Sequence, residues 1–317
     1  MNIPVFDLHC DTALELLSHQ KEGTDTLRRN HLHIDLERAK KLAGYCQCFA
    51  CFTTPYMTEW KTGTPEDMFE KEIDILRSEL EKNRDWILQA YTAEDVEKNY
   101  KNGMMSAILT IEGPAGFGFD PELLQDLYLA GFRITTLGWN EDNPLTGSHI
   151  TGGGLTDLGR EYVREAQRLG MIVDVSHISD QGFWDIMEIT QAPVVATHSN
   201  SRTICNVSRN ITDDMFQAIC QTGGVVGFNQ YASFIGQDPD LHAACAHFLH
   251  FMQMDPDARH IALGGDLDGC SQLPTGFDGV QDYPKLAQVL LAHGLEEQQL
   301  RNIFWDNALG VMRKCCI

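Results

Sequence analysis

Short apolar, β-branched runs recur along the chain, each ending in a polar residue or glycine and followed by a stretch of helical length. They are IPVFDLH (3–9), YCQCFACF (45–52), SAILTIEG (106–113), FRITTLGW (132–139), MIVDVSH (171–177), APVVATHS (192–199), GGVVGFNQ (223–230) and HIALGGDLD (260–268). Near-continuous apolar strands alternating with helices predict a parallel sheet covered by helices. Between them, 65–83 carries Met68, Ile73, Ile75, Leu76 and Leu80 at mixed three- and four-residue steps, as a buried helix face does. The segment 155–170 begins with Thr156 as an N-cap and ends on Gly170 as the glycine past the helix end. Eight such units predict an α/β fold, a (β/α)8 TIM barrel, as one domain over residues 1–317. An open doubly wound sheet is the weaker alternative, because no glycine-rich phosphate loop follows the first run.

Composition narrows this little. The 317 residues are 43% hydrophobic, enough for a large core, and the formal net charge of −21 argues against nucleic acid as a partner. Met1–Pro4 has no basic leader pattern, and the longest uncharged stretch, Gln217–Gln237, is too polar to span a membrane. The terminal KCCI puts cysteine third from the end, which is not a prenylation pattern. The ten cysteines lack the framework of a small secreted domain, so the expectation is reduced thiols in a cytoplasmic protein without a membrane partner.

The ends of the runs change the picture. FDLHCDT (6–12) sets Asp7, His9 and Asp11 at alternate positions, so on a strand they share a face, and burying them unpaired is costly. That face must meet water or a cation. The first run ends on His9 and Asp11, the third on Glu112, the fifth on His177, the sixth on His198 and the eighth on Asp266 and Asp268. In a barrel all these ends face one mouth. Three histidines and two carboxylates suffice for two ions if one carboxylate bridges: His9, Asp11 and Glu112 for one, Glu112, His177 and His198 for the other. Imidazole with carboxylate favours zinc or a similar first-row divalent ion, and two such ions can activate a water and polarise a carbonyl.

Other clusters read as structural. Cys46, Cys48 and Cys51 suit a buried strand and lack a second cysteine pair. His247 and His250 lie one helical turn apart and read as a helix surface, while Asp213–Asp214 and Glu296–Glu297 read as solvated helix starts.

The stretches FDLHCDT, ILTIEG, GGLTDLGREYVREAQRLGMIVDVSHIS, APVVATHSN, SRNITDD, GGDLDG and DYPKL, in that order over residues 6–288, resemble the membrane (renal) dipeptidases, zinc enzymes on amidohydrolase-like barrels. The resemblance implies two Zn2+ per chain on His9, Asp11, Glu112, His177 and His198. It implies Arg209 as the residue binding the substrate carboxylate and Asp266 as the proton-shuttling catalytic residue. It departs at Trp139, which stands where mammalian members carry a substrate-contacting histidine. The implied activity is hydrolysis of a small dipeptide by a metal-bridging hydroxide, with a homodimer as the default assembly. Another small amide, lactam or lactone on the same site, or a non-catalytic metal- and peptide-binding barrel, are the alternatives.

Overall fold

The computed structural model describes residues 3–19, 25–58 and 63–316. Met1, Asn2 and Ile317, read above for a leader and a prenylation pattern, lie outside them. Nine parallel strands form one sheet: β1 (Val5–Asp7), β2 (Tyr45–Phe52), β3 (Ile87–Gln89), β4 (Met105–Glu112), β5 (Phe132–Thr136), β6 (Ile172–Asp174), β7 (Val194–Val195), β8 (Val226–Phe228) and β9 (Ile261–Leu263). Their spatial order is β7-β6-β5-β4-β2-β1-β9-β8, and a parallel bridge from Ala196 to Val226 closes the ring. The eight predicted runs are the eight staves of this barrel. The ninth strand, β3, pairs with β4 outside the ring; three residues with only Ile87 buried are too short to show a period.

The strands are shorter than the runs because the last residues of several runs leave the ladder. His177, Asp266 and Asp268 have φ of +70°, +54° and +69°, half of the six non-glycine residues with positive φ among the described residues. Such conformations are costly for residues with a Cβ and gather where function fixes the backbone.

The helices follow the sequence signals. Pro65–Lys82 starts at the Thr64 cap and buries Met68, Phe69, Ile75, Leu76 and Leu80. Asp157–Leu169 starts at Thr156, whose side chain accepts from the Gly159 amide, and ends on Gly170 in the left-handed conformation. Inside the ring, the two-residue period puts Leu8, Cys46, Cys48, Ile108, Ile134, Ile172, Val195 and Ala262 in one apolar cluster with Trp305. Two residues further along the same strand faces come Thr110, Thr136, Asp174 and Thr197, and Glu112 stands one step higher on β4. The barrel thus has an apolar floor and a polar upper layer. Asp174 ties that layer together by accepting from the hydroxyls of Thr136 (2.7 Å) and Thr197 (2.6 Å) and from the amides of Ser176 (2.9 Å) and Thr197 (2.8 Å).

The closing seam between β7 and β8 is short, with one bridged pair, Ala196 and Val226. There Gly227 and Gly264 flank the Thr197 carbonyl so closely that a Cβ on either would lie 2.0 or 1.6 Å from its oxygen. These glycines let Thr197 and the next residue, His198, sit deep against the neighbouring strands.

Candidate metal centre

The ends of five strands, β1, β4, β6, β7 and β9, deliver side chains to one point above the polar layer. Glu112, the last residue of β4, reaches His9 Nε2 with Oε2 (3.2 Å), and reaches His177 Nε2 (3.0 Å) and His198 Nε2 (3.6 Å) with Oε1. His9 stacks on His198 with ring centroids 3.7 Å apart, and its Nε2 lies 3.5 Å from Asp11 Oδ2 and 3.9 Å from Asp266 Oδ1. Ligand atoms of His9, Glu112 and His198 lie within 4.8 Å of one another, as do those of His9, Asp11 and Asp266. The five predicted ligands and Asp266 are therefore brought together.

Asp7 is not part of this face. β1 ends at Asp7, so the two-residue period stops before His9 and Asp11. The buried Asp7 carboxylate accepts from the amides of His9 (3.0 Å) and Gly265 (2.9 Å) and from the Tyr283 hydroxyl, fixing the backbone beneath the site.

The proton inventory of the histidines tests whether a cation fits. Thr197 gives its hydroxyl proton to Asp174, so its oxygen accepts from His198 Nδ1 at 2.6 Å. The Asn140 amide oxygen, which can only accept, faces His177 Nδ1 at 2.9 Å. Both rings therefore carry their proton on Nδ1 and present Nε2 lone pairs, 3.0 Å apart, to each other and to Glu112. Burial, reinforced by Arg209 for His177 and by His9 for His198, holds both imidazoles neutral, well below their usual pKa. His9 Nε2 and Asp11 Oδ1 are buried without a hydrogen-bond partner. The His177 and His198 lone pairs converging with these carboxylates are stabilised by a divalent cation and repel one another otherwise, and the proton that His9 holds among the acids is one that such a cation would displace. The donor set fits a metal.

Burial first, then the charges of neighbouring carboxylates, raises Asp11 to about 6 and Asp266 to about 7. His9 stays protonated far above its usual range: burial opposes the charge, and the Glu112 and Asp11 carboxylates outweigh it. Asn229 donates to Asp266 Oδ2 at 3.0 Å, and Asp268 is held by the Thr12 hydroxyl and the His33 amide, both at 2.6 Å. Gly269 closes the loop over these acids; a Cβ there would lie 2.0 Å from Asp11 Oδ2 and 2.5 Å from Asp266 Oδ1. Gly269→Ala is expected to push both carboxylates aside and weaken divalent-ion binding about tenfold or more. Titration with a chelating indicator checks this, and unchanged affinity would contradict it.

The cluster opens into a cavity of about 500 Å³ lined by the acids Asp11, Glu15, Glu112, Asp266 and Asp268 and by Leu14, Phe52, Trp139 and Phe234, of which Leu14, Phe52 and Trp139 belong to one apolar cluster. Trp139 packs edge-on to Phe52 (5.2 Å) and lies 6.3 Å from the His177 ring. Arg209 does not line this cavity. It is buried over Phe234 at 5.7 Å, donates to Ser199 Oγ at 2.7 Å, and leaves Nε and Nη2 without partners.

Among the polar residues not singled out in the sequence, Asn140 and His149 line the cavity and Asn229 holds Asp266. His149 is held near a pKa of about 4 by burial and by Arg209 and Arg202. A second reading, after that of Asp7, is corrected. His247 lies on the helix Leu241–Met252 but is fully buried, accepting from the Ser201 amide (3.1 Å) and donating to the Ile235 carbonyl (3.0 Å). His250 is partly covered and pairs with Asp213 at 2.7 Å. Cys46, Cys48 and Cys51 are buried and unpaired, as expected of core thiols.

Comparison with known proteins places this geometry. The model of a family described as membrane dipeptidase, peptidase family M19, matches residues 1–316. An uncharacterised dipeptidase of Schizosaccharomyces pombe is 28% identical over 98% of this chain and 81% of its own length. A metallo peptidase of Rhodobacter sphaeroides, liganded with a phosphinate mimic of the dipeptide L-Ala-D-Ala, superposes with a TM-score of 0.89 at 27% identity, covering 99% of this chain and 100% of its own. Dipeptidase AC, a family M19 metallo peptidase, superposes with a TM-score of 0.90 at 27% identity over 100% of this chain and 99% of its own.

Proposed function

The chain belongs to the membrane dipeptidase family, peptidase family M19, and from that premise we propose how its residues carry out the metal-dependent hydrolysis of dipeptides. The observation that carries the assignment is the convergence of the His177 and His198 Nε2 atoms, 3.0 Å apart, on Glu112 Oε1 at 3.0 and 3.6 Å. We assign one ion to His9, Asp11 and Glu112 and a second to Glu112, His177 and His198. The imidazole and carboxylate donors support zinc, with other first-row divalent ions as substitutes. When bound, such ions polarise the scissile carbonyl and make water nucleophilic at neutral pH.

The remaining steps belong to the protein. Asp266, 3.9 Å from His9 and oriented by Asn229, accepts the proton of the attacking water and returns it to the leaving amine. Arg209 lies against Phe234, a ring that lines the cavity, and its Nε and Nη2 nitrogens are unpaired; a guanidinium fork so placed supports its binding the dipeptide's C-terminal carboxylate. Trp139 and Phe52 form an apolar wall that supports selection of the substrate side chain. The dipeptide mimic bound by the Rhodobacter sphaeroides relative supports a dipeptide in this cavity.

Turnover of a dipeptide library (L,L- and L,D-peptides, with lactones as controls) by zinc-loaded protein, with metal counted by elemental analysis, tests the reading. Two ions per chain and dipeptide hydrolysis are expected. Asp266→Asn is expected to keep both ions and lose roughly 10²–10⁴-fold in kcat, the usual share of a positioned acid–base group. Lactone turnover without dipeptide turnover would replace the substrate assignment.

Two wider expectations belong to the same proposal. All ten cysteines are free, which supports a reducing, cytoplasmic location. No helix among the described residues is long and apolar enough to cross a membrane. We also propose a homodimer, which light scattering of the purified protein would test.

A further inference from the structure

We propose that His149 is a positioning residue that locks the His177 ring for metal binding and ties it to the loop carrying Arg209, an inference resting on the dipeptidase reading above. The geometry is a relay with a single acceptor at its centre. Asn140 Oδ1 lies 2.9 Å from His177 Nδ1 and 3.0 Å from His149 Nε2. An amide oxygen only accepts, so both rings must carry protons on the nitrogens that face it, and both of its lone pairs are used. The neutral His149 ring then has an acceptor at Nδ1, which Ser208 Oγ meets at 2.9 Å. Ser208 is the residue before Arg209. Its carbonyl is held from the other side by Arg202 at 2.9 Å, and Arg202 forms a two-pronged pair with Asp180.

The backbone reinforces the same link. The His149 amide donates to the His177 carbonyl at 2.8 Å, and Ser148 bridges Ile178 in antiparallel fashion. The loop after β5 is thus sewn to the loop after β6 on both sides of the imidazole.

The second donor matters because a side-chain amide can turn over. With His177 alone against it, Asn140 could present Nδ2 instead of Oδ1. The His177 proton would then move to Nε2, the atom that faces Glu112 and the ion site. His149 makes that turn costly, because it would set an N–H against two rings that would both have to rearrange. His149 also conveys the position of the metal-side loop to the Arg209 loop, where the substrate carboxylate is read.

The test uses His149→Phe, which keeps the ring volume and removes both ring hydrogen bonds. It is paired with His149→Gln, whose amide can donate to Asn140 and accept from Ser208. Imidazole ¹⁵N NMR of the metal-free protein is expected to show His177 protonated at Nδ1 in the parent and in His149→Gln, and a growing Nε2–H population in His149→Phe. Zinc affinity, read by competition with a chelating indicator, is expected to fall roughly tenfold in His149→Phe, as for other partners of metal-bound histidine, and to recover in His149→Gln. With zinc saturating, KM for a dipeptide is expected to rise several-fold in His149→Phe with a smaller change in kcat. Retention of the Nδ1–H form and of parent zinc affinity in His149→Phe would overturn the proposal. So would equal losses in both variants, which would reduce His149 to packing. The NMR and zinc measurements need no substrate, so they stand or fall independently of dipeptide turnover.

Discussion

Glu112→Gln is expected to abolish tight ion retention and to lower kcat/KM for dipeptides roughly a thousandfold, a loss of about 4 kcal/mol of transition-state stabilisation. Among the described residues Glu112 is the one carboxylate paired with all three imidazoles, His9 through Oε2 and His177 and His198 through Oε1. The amide has nearly the same volume but lacks the negative charge, and only one of its two terminal atoms retains lone pairs for a ligand role. Its N–H group can instead donate to an Nε2 lone pair, so the metal-free variant is expected to melt no lower than the metal-free parent. Elemental analysis after dialysis, steady-state kinetics and thermal melting measure the three quantities. Two retained ions with near-normal turnover would remove Glu112 from the centre of the site.

The metal-free parent is expected to lose stability as pH rises from about 6.5 to 8, and a divalent ion is expected to cancel the loss. Asp266 and Asp268 are raised by burial to about 7, against an ordinary value of 3.8. An acid that holds its proton more tightly when folded stabilises the fold at low pH, and that contribution disappears as pH climbs from the unfolded value through the folded one. His9, raised by its carboxylate neighbours against the effect of burial, works in the same sense above the ordinary imidazole range. His177 and His198 are neutral in the fold. In the unfolded chain they are still about half charged at pH 6.5 and neutral by about 7.5, so each offsets the loss by only about 0.4 kcal/mol over this window. At about 1.4 kcal/mol per pK unit the sum over this window is roughly 2–3 kcal/mol, which for a chain of this size lowers Tm by about 5 °C. Calorimetry with and without chelator checks this. A metal-free melting point that stays flat or rises between those pH values would show that the acids at the mouth are not buried together.

The barrel was legible because each stave repeats the same local bargain, an apolar run on both faces followed by a helix with its own caps. The proposed ion ligands were legible for a related reason. His9, Glu112, His177 and His198 each close an apolar run, and a charged or imidazole group has little structural purpose there. What escaped was held by loops. Asn140, His149 and Asn229 earn their places through contacts with residues 37, 59 and 37 positions away, and no periodicity announces such contacts. His247 was misplaced because its helix, read alone, does not reveal that the Ser201 and Ile235 backbones approach from elsewhere to cover it. Asp7 was read on a shared face because the alternation rule was carried past the point where β1 stops.

The narrow closure between β7 and β8 has a bearing on how long the enzyme keeps its cargo. Only two residues of β7 lie in the ladder, a single bridge joins it to the next stave, and the chain runs from there straight into His198. Where a ring of strands is thinnest it parts most readily. Parting here would swing an imidazole out of reach of its ion while the rest of the mouth stayed assembled. Ion loss is therefore expected to follow the opening of this joint, and hydrogen exchange at the Ala196 and Gly227 amides, which bond across it, set against the rate of zinc release would check this.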